Sequence, residues 1–596
     1  MEKNEISSQL RNKINLKKTV IPILFFLAYF ILGIFIYKDY GLSYDEEQQR
    51  KLGILTYQYI FGGNNELFDF KDKDYGVGFE LPLILLEKLF NLQDPREIYF
   101  MRHFATFSFF FTSMIFFYFL CKNHFKDEKW GLIAVLFLIL SPRIFADSFY
   151  NDKDIIFLAV YILAIFTMTR FAGNLNLKWA IIHGYVCSLL LNIRTAGLII
   201  IFITIGLIIL DKLKIKQPDT KKVNYLLLSS VFLSSLSIFL YITWPYLWKS
   251  PFSNFFNAFI TASKFPRWQG AELFFGVFTD SNNLPPHYIP AWIIITTPIL
   301  YPICAGIGII YAFKSIFSDY FDFLMHDETK RNNLIFLCCL FLPLMSVIFL
   351  KSKFYNGWRH MFFIYPVIII FAVEGLKGIF RYIESGKTEK KDIMKYIFTG
   401  IIIFSFGSTA FTMIKNHPFQ NVYFNLIVSN GKSTLEDKFS LDYWGLSSRK
   451  ALEYVLKNNP GRIINVSSDK FPGYFNRLIL PIEDRNRLNF VDTDKAEFNI
   501  VENYNVDKNA KDIFHENEYY SISVDGSKIM TVYKIDQTRL PGYTAEKNQQ
   551  QQNFFETMNR INPALAMELK QIQNLPKEEK MKRFQELKEK YKGFLR

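Results

Sequence analysis

A chain of 596 residues that is 50% hydrophobic and 18% aromatic, with its apolar residues gathered in long runs, cannot hide them all inside a soluble globule. Its formal charge of +14 would suit a nucleic-acid partner, but the Lys and Arg residues lie mostly in short loops between apolar runs, where they act as topology signals. No basic stripe with interleaved aromatics argues for nucleic acid, and the five cysteines (Cys121, Cys187, Cys304, Cys338, Cys339), all in or beside apolar runs, imply neither a disulfide framework nor a CxxC metal site.

Runs of about 17 to 25 mostly apolar residues predict membrane-spanning helices. Eleven are expected, near 20–37, 101–120, 130–146, 155–171, 179–192, 197–210, 224–246, 289–313, 334–350, 360–380 and 396–414. The tail 1–19, with "RNKINLKK" at 11–18, puts the N-terminus in the cytoplasm, and the first run is too long for a cleaved signal and reads as a signal anchor. The short pair 179–192 and 197–210, split by "NIRTAG", allows a hairpin of tilted or half-inserted helices. Alternation assigns Lys-rich loops such as 211–222 and 381–395 to the inside and the loops 38–100, 141–154, 247–288 and 351–359 to the outside. Within the first outer loop, "YGVGFELPLILLEKLF" is too short and too charged to span and suits the interface.

From 416 the texture changes to short β-rich runs between turn signals, with a helix over "SSRKALEYVLKN" ended by Pro460 and a hairpin at "VDGSK". This predicts an extracytoplasmic α/β domain over 416–540, then a linker and polar helical tail over 541–596. The fold class expected is an all-α polytopic protein of the cell inner (cytoplasmic) membrane, with a small α/β C-terminal domain.

Ionisable residues at the ends of spans are costly near hydrocarbon and mark function. Here they gather on one face: Asp45, Glu46 and Glu47 after the first span, Arg143, Asp147, Asp152, Lys153 and Asp154 in "SPRIFADSFYNDKD", Arg194 in "NIRTAG", and Lys351, Lys353, Arg359 and His360 in "KSKFYNGWRH". A carboxylate can take a proton from an acceptor hydroxyl, while Arg and Lys hold a phosphate leaving group. "DYWG" at 442–445, just before the soluble helix, suits a packing joint or a cover over an acceptor groove.

At these residues the sequence resembles the GT-C glycosyltransferases, and within them the lipid-carrier-dependent family 39 of protein O-mannosyltransferases and lipid A aminoarabinose transferases. The blocks that carry the resemblance are "YDEE" at 44–47, "SPRIFADSFYNDKD", "ITWPYLWKSP" at 242–251, "YNGWRHMFFIYP" at 355–366 and "HPFQNVYFN…DYWG" at 417–445. The resemblance implies transfer of a sugar from a polyprenyl-phosphate donor to an acceptor (protein, lipid or glycan) at the outer face of the bilayer, usually with inversion. It makes Asp45 the general base and Glu46 a residue that shapes the site or touches the acceptor. Arg143, Lys153, Asp154, Arg194, Lys353, Arg359 and His360 become the donor-phosphate and substrate-binding set.

No cofactor is expected, although the adjacent carboxylates with Asp152 and Asp154 could bind Mg²⁺ or Mn²⁺ through oxygen, and that alternative stays open. A transporter or lipid-linked glycan flippase is the main alternative function, but such proteins place ionisable groups at mid-membrane, and here the span centres are nearly free of charge. An O-antigen polymerase or ligase calls for a large outer loop rich in Arg and His, whereas 247–288 holds only Lys249, Lys264 and Arg267 with His287.

Overall fold

The computed structural model describes residues 20–213, 223–264, 270–317, 327–385, 390–429, 435–502, 517–535 and 562–573, with a few single positions between 556 and 587. The basic tail 1–19, most of the loop 211–222 and most of the segment 541–596 lie outside the described residues.

The chain is a polytopic helical membrane protein with a small sheet region near its C-terminus. Among the described residues, eight helices are long and apolar enough to cross a membrane: Pro95–Phe125, Asp154–Gly173, Thr195–Leu213, Tyr225–Thr243, Leu300–Phe317, Glu328–Phe349, Arg359–Ser385 and Lys391–Lys415. Glu128–Ile139 and Pro142–Tyr150 make a ninth span only if counted together, and Val20–Ile36 and Leu177–Leu191 are shorter apolar helices. All eleven expected segments thus coincide with apolar helices, but the expectation of eleven straight, full-length spans is corrected.

Two of the departures have local causes. The pair 128–139 and 142–150 bends by 74° where Pro142 follows Ser141, because proline lacks the N–H the helix needs and pushes the residue before it out of helical geometry. Ser141 is extended there, and its hydroxyl lies 2.8 Å from the Tyr365 hydroxyl. The run 289–313 divides into Tyr288–Ile295 and Leu300–Phe317 around Pro298. Asn425 meets the carbonyls freed by that break, its Nδ2 donating to Ile294 and Thr297 at 2.6 and 2.8 Å and its amide to Ile295 at 2.9 Å.

Start signals are written in short polar side chains. Asp94, Asp127, Asn176, Asn224 and Asp327 each accept a hydrogen bond from a backbone amide in the first turn of the helix they precede. Helices Leu300–Phe317 and Tyr365–Ser385 cross with backbones in contact: a Cβ on Gly308 would fall 1.9 Å from the Phe371 carbonyl oxygen, and one on Gly375 equally close to that of Cys304.

The C-terminal sheet has five strands, β3 (Ile464–Ser468), β4 (Leu488–Phe490), β5 (Phe498–Glu502), β6 (Glu518–Val524) and β7 (Ser527–Lys534), in the order β4-β3-β5-β7-β6. The β3 pairings are parallel and the β7 pairings antiparallel. A two-stranded hairpin, β1 (Ala271–Phe274) and β2 (Val277–Asp280), lies in the loop 247–288. Buried Asn476 and half-buried Arg449 hold the sheet region to the first loop: Asn476 Oδ1 accepts from the Leu42 amide at 2.7 Å, its Nδ2 donates to the Leu42 carbonyl at 3.0 Å, and Arg449 donates to the Tyr40 carbonyl at 2.9 Å.

Candidate active site

Asp45 precedes the helix Glu46–Gly62, whose first turn is set by Glu46. The Glu46 side chain, 1% exposed, accepts from the Ser43 amide at 2.6 Å through one oxygen and lies 2.9 Å from His103 Nε2 through the other. With Glu46 turned into the protein, Asp45 keeps its carboxylate 26% exposed and receives Arg359 Nη1 at 3.1 Å. The same nitrogen donates to Asp154 at 2.9 Å, and Arg194 Nη2 reaches the other oxygen of Asp154. Asp154 opens the helix Asp154–Gly173, where a carboxylate is favoured by the unpaired amides and the helix dipole.

This cluster has an ordered backing. Asn151 Oδ1 accepts from the Asp154 amide at 2.8 Å while its Nδ2 donates to Asp147 at 2.8 Å. Asp147 also accepts from Tyr150 and from Trp444 Nε1, both at 3.1 Å. The Arg359 guanidinium lies over the Trp444 and Tyr355 rings, 4.5 and 5.0 Å from their centroids. Behind the turn 151–154, Arg102 is buried and ion-paired with Glu80, with Asp152 at 2.9 Å and with Glu87 at 3.7 Å. Burial pushes the Glu80 and Asp152 carboxyls above the usual range against the pull of Arg102.

Next to Arg359 opens a cavity of about 540 Å³. Its lining includes the polar side chains Lys153, Arg194, Lys353, Arg359, His360 and Asp74 and the apolar Leu198, Phe202, Phe259, Leu342, Val347 and Leu350. Lys153 Nζ sits 3.4 Å from the centroid of the Tyr75 ring; burial and the neighbouring Arg194 guanidinium hold its ammonium below its ordinary value. Burial pushes the Tyr355 hydroxyl up.

The structure therefore brings Asp45, Asp154, Arg194 and Arg359 into one ion-paired cluster and puts Lys153, Lys353 and His360 on the cavity beside it. Glu46, expected to shape the site or touch the acceptor, is buried with its carboxylate on Ser43 and His103, where it shapes the turn. Arg143, expected at the donor phosphate, is buried instead under the last loop, where its Nε donates to the Tyr423 carbonyl at 3.0 Å and its guanidinium lies 4.7 Å from the Phe424 ring centroid. The helix Pro142–Tyr150 and the turn after it stand between the two ends of the second-loop block, with Arg143 in the first turn of one helix and Asp154 at the start of the next, which spacing alone does not reveal.

Among the described residues no three His, Cys, Asp or Glu side chains form a group that could hold a metal ion. Four of the five carboxylates that stood open for Mg²⁺ or Mn²⁺ are paired separately: Asp45 and Asp154 with Arg359, Asp152 with Arg102, and Glu46 with His103.

Sequence reasoning passed over Asp74, Tyr75, Tyr355 and Glu272. Glu272, on β1, is 1% exposed with both carboxylate oxygens outside good hydrogen-bond geometry. Burial pushes it up to about 7, outweighing the Asn356 amide and Arg359, which favour its charged form. A Glu flanked by Ala271 and Leu273 in a loop was its only signal in the chain.

Residues 101–242 match a family model described as dolichyl-phosphate-mannose-protein mannosyltransferase. The matched stretch is well under half of the chain and contains Arg102, Lys153, Asp154 and Arg194. Among solved structures, the chain is similar to the Archaeoglobus fulgidus oligosaccharyltransferase in the apo form, at TM-score 0.45 and 11% identity over 77% of this chain and 61% of that one. It is also similar to the oligosaccharyltransferase AglB of Archaeoglobus fulgidus in complex with an inhibitory peptide and a dolichol-phosphate, at TM-score 0.39 and 11% identity over 80% and 66% of the two chains. The chain thus spans less than two thirds of the length of either structure. No curated protein matches it.

Proposed function

We propose that this protein is an integral membrane glycosyltransferase of the GT-C kind, moving one sugar from a polyprenyl-phosphate carrier to an acceptor hydroxyl on the outer face of the cytoplasmic membrane. The observation that carries the reading is the juxtaposition of Asp45, half-open and oriented by Arg359, with a cavity lined by both cationic and apolar side chains. A polyprenyl phosphate is a ligand whose two halves fit that lining: its isoprenoid chain suits the apolar side chains, and its phosphate suits the guanidinium and ammonium groups. The partial family match, over the stretch that supplies Lys153, Asp154 and Arg194, supports the same donor class.

In the proposed reaction the acceptor hydroxyl gives its proton to Asp45 as its oxygen bonds to the anomeric carbon. The bond from that carbon to the phosphate oxygen breaks in the same displacement, inverting the centre and releasing polyprenyl phosphate. Arg194, Arg359, Lys153 and Lys353 offset the charge that grows on the leaving phosphate, in a partly dry site where fixed charges act strongly. Asp154 holds both guanidiniums in place and needs no contact with the substrate. These cations occupy the electrostatic role a divalent ion would otherwise fill, so the reaction is expected to proceed in the presence of a chelator.

The test is transfer from a panel of undecaprenyl-phosphate and dolichyl-phosphate monosaccharides by purified protein in detergent. Asp45→Asn is expected to lower turnover by about 10²–10⁴ while leaving donor binding intact. Unchanged turnover in that variant would remove Asp45 as the base, and loss of turnover on adding EDTA would replace the guanidinium mechanism with a metal-assisted one.

A further inference from the structure

We propose that Trp444, on the turn 442–445 of the sheet region, is a positioning residue for the transfer, its ring setting the plane in which the Arg359 guanidinium meets the leaving phosphate. This inference rests on the donor reading above and gives the block "DYWG" a part in the reaction.

Contact with Arg359 is the first ground. Trp444 is buried, and its ring centroid lies 4.5 Å from the Arg359 guanidinium, with the Tyr355 ring at 5.0 Å. Arg359 Nη1 is at the same time shared between Asp45 and Asp154. Two carboxylates on one nitrogen hold that corner of the guanidinium and still let the group turn about it. A stacked ring removes that freedom, and because a ring face takes up none of the N–H groups, it leaves donors for a phosphate.

Attachment to Asp154 is the second ground. Trp444 Nε1 donates to Asp147 at 3.1 Å, Asn151 Nδ2 donates to Asp147 at 2.8 Å, and Asn151 Oδ1 accepts from the Asp154 amide at 2.8 Å. One side chain thus touches Arg359 directly and reaches Asp154 through two hydrogen-bonded neighbours. It registers the guanidinium against the carboxylate that pairs with it.

Support from the sheet region is the third. The turn is closed by the Gly445 amide on the Asp442 carbonyl at 2.8 Å. The Asp442 carboxylate accepts from the Ser447 amide and hydroxyl at 2.9 and 2.6 Å and from Asn421 Nδ2 at 2.9 Å. Ser448 donates to Glu502, at the end of β5, at 3.1 Å. Asp442 holds a left-handed φ of 35°, a conformation that costs a non-glycine residue free energy, persists only where the surroundings impose it, and is concentrated at functional sites.

The experiment measures the affinity of bare undecaprenyl phosphate for wild type, Trp444→Leu, Trp444→Phe, Arg359→Lys and the double variant of Arg359→Lys with Trp444→Leu. Alongside it, kcat and KM are measured with undecaprenyl-phosphate monosaccharides, and unfolding temperature is measured in detergent. Bare undecaprenyl phosphate carries the charge that the leaving group develops, so its binding reports the same contact. Trp444→Leu is expected to weaken that binding about 10–30-fold, the range of a desolvated cation–π contact, and to lower kcat by a similar factor with a smaller change in KM. Trp444→Phe, which keeps a ring face, should recover much of both. In the Arg359→Lys background no planar group remains to be oriented, and Trp444→Leu should add little.

A Trp444→Leu effect of the same size with Arg359→Lys as without it would show that Trp444 acts on the fold and would overturn the proposal. So would a Trp444→Phe variant as impaired as Trp444→Leu. A wild type that binds the lipid phosphate, with Trp444→Leu unchanged, would overturn it while leaving the donor reading intact. A wild type that binds no polyprenyl phosphate would overturn both.

Discussion

At the scale of single residues, the site illustrates how a buried charge is tolerated only where its partners are fixed. Arg102 is held among Glu80, Asp152 and Glu87, and removing it would leave carboxylates buried without a counter-charge. Arg102→Ala is expected to lower stability by about 3–5 kcal/mol, read as a lower unfolding temperature in detergent, with Arg102→Lys recovering only part. Glu272 predicts a pH dependence. Its folded pKa of about 7 lies above the ordinary 4.5, so the native state binds its proton more tightly than the unfolded chain does. Its cost is absent in acid, grows as pH rises from 4.5 towards 7, and is complete above that. Glu272→Gln should therefore be no more stable than wild type near pH 4.5 and gain up to about 3 kcal/mol by about pH 8. A difference between the two proteins that stays constant with pH would contradict this.

At the scale of elements, proline and glycine decide where helices break and how closely they approach. Pro142 turns the chain through 74° into the helix Pro142–Tyr150, and that helix separates Arg143 at its start from Asp154 beyond its end even though both belong to one motif. Gly375 allows its helix to touch Leu300–Phe317 along the backbone, and that same span begins with Arg359. Gly375→Leu should force the pair apart and cost about 1–3 kcal/mol or more, with lower turnover because the Arg359 end shifts. A variant with wild-type stability would show that the crossing relaxes elsewhere. The helix positions were legible because length and hydropathy report them directly; the breaks at 141–142 and 296–299 were not, since a span interrupted by one Pro has the same average hydropathy as a continuous one.

At the scale of the whole molecule, buried contacts tie the sheet region to the loop that carries Asp45. Asn476 grips both backbone groups of Leu42, and Trp444 bridges Asp147 to the Arg359 guanidinium. Asn476→Ala is expected to lower turnover by about tenfold with little change in donor affinity, because the contact fixes the loop bearing Asp45 without reaching the cavity. Loss of donor binding in this variant would show instead that the sheet region supports the cavity wall.

The sequence by itself determined that the chain is a multi-pass membrane protein, where its apolar helices run, and that its ionisable residues collect near the ends of spans. Those properties are sums over local windows and need no knowledge of what packs against what. Tertiary structure alone decided which members of that set meet: Asp45, Asp154, Arg194 and Arg359 converge from four separate stretches, whereas Glu46 is held by nearby Ser43 and distant His103, and Arg143 by distant Tyr423. It also brought Asp74 and Glu272 into view, because a carboxylate's surroundings, unlike its spacing, depend on the fold that buries it.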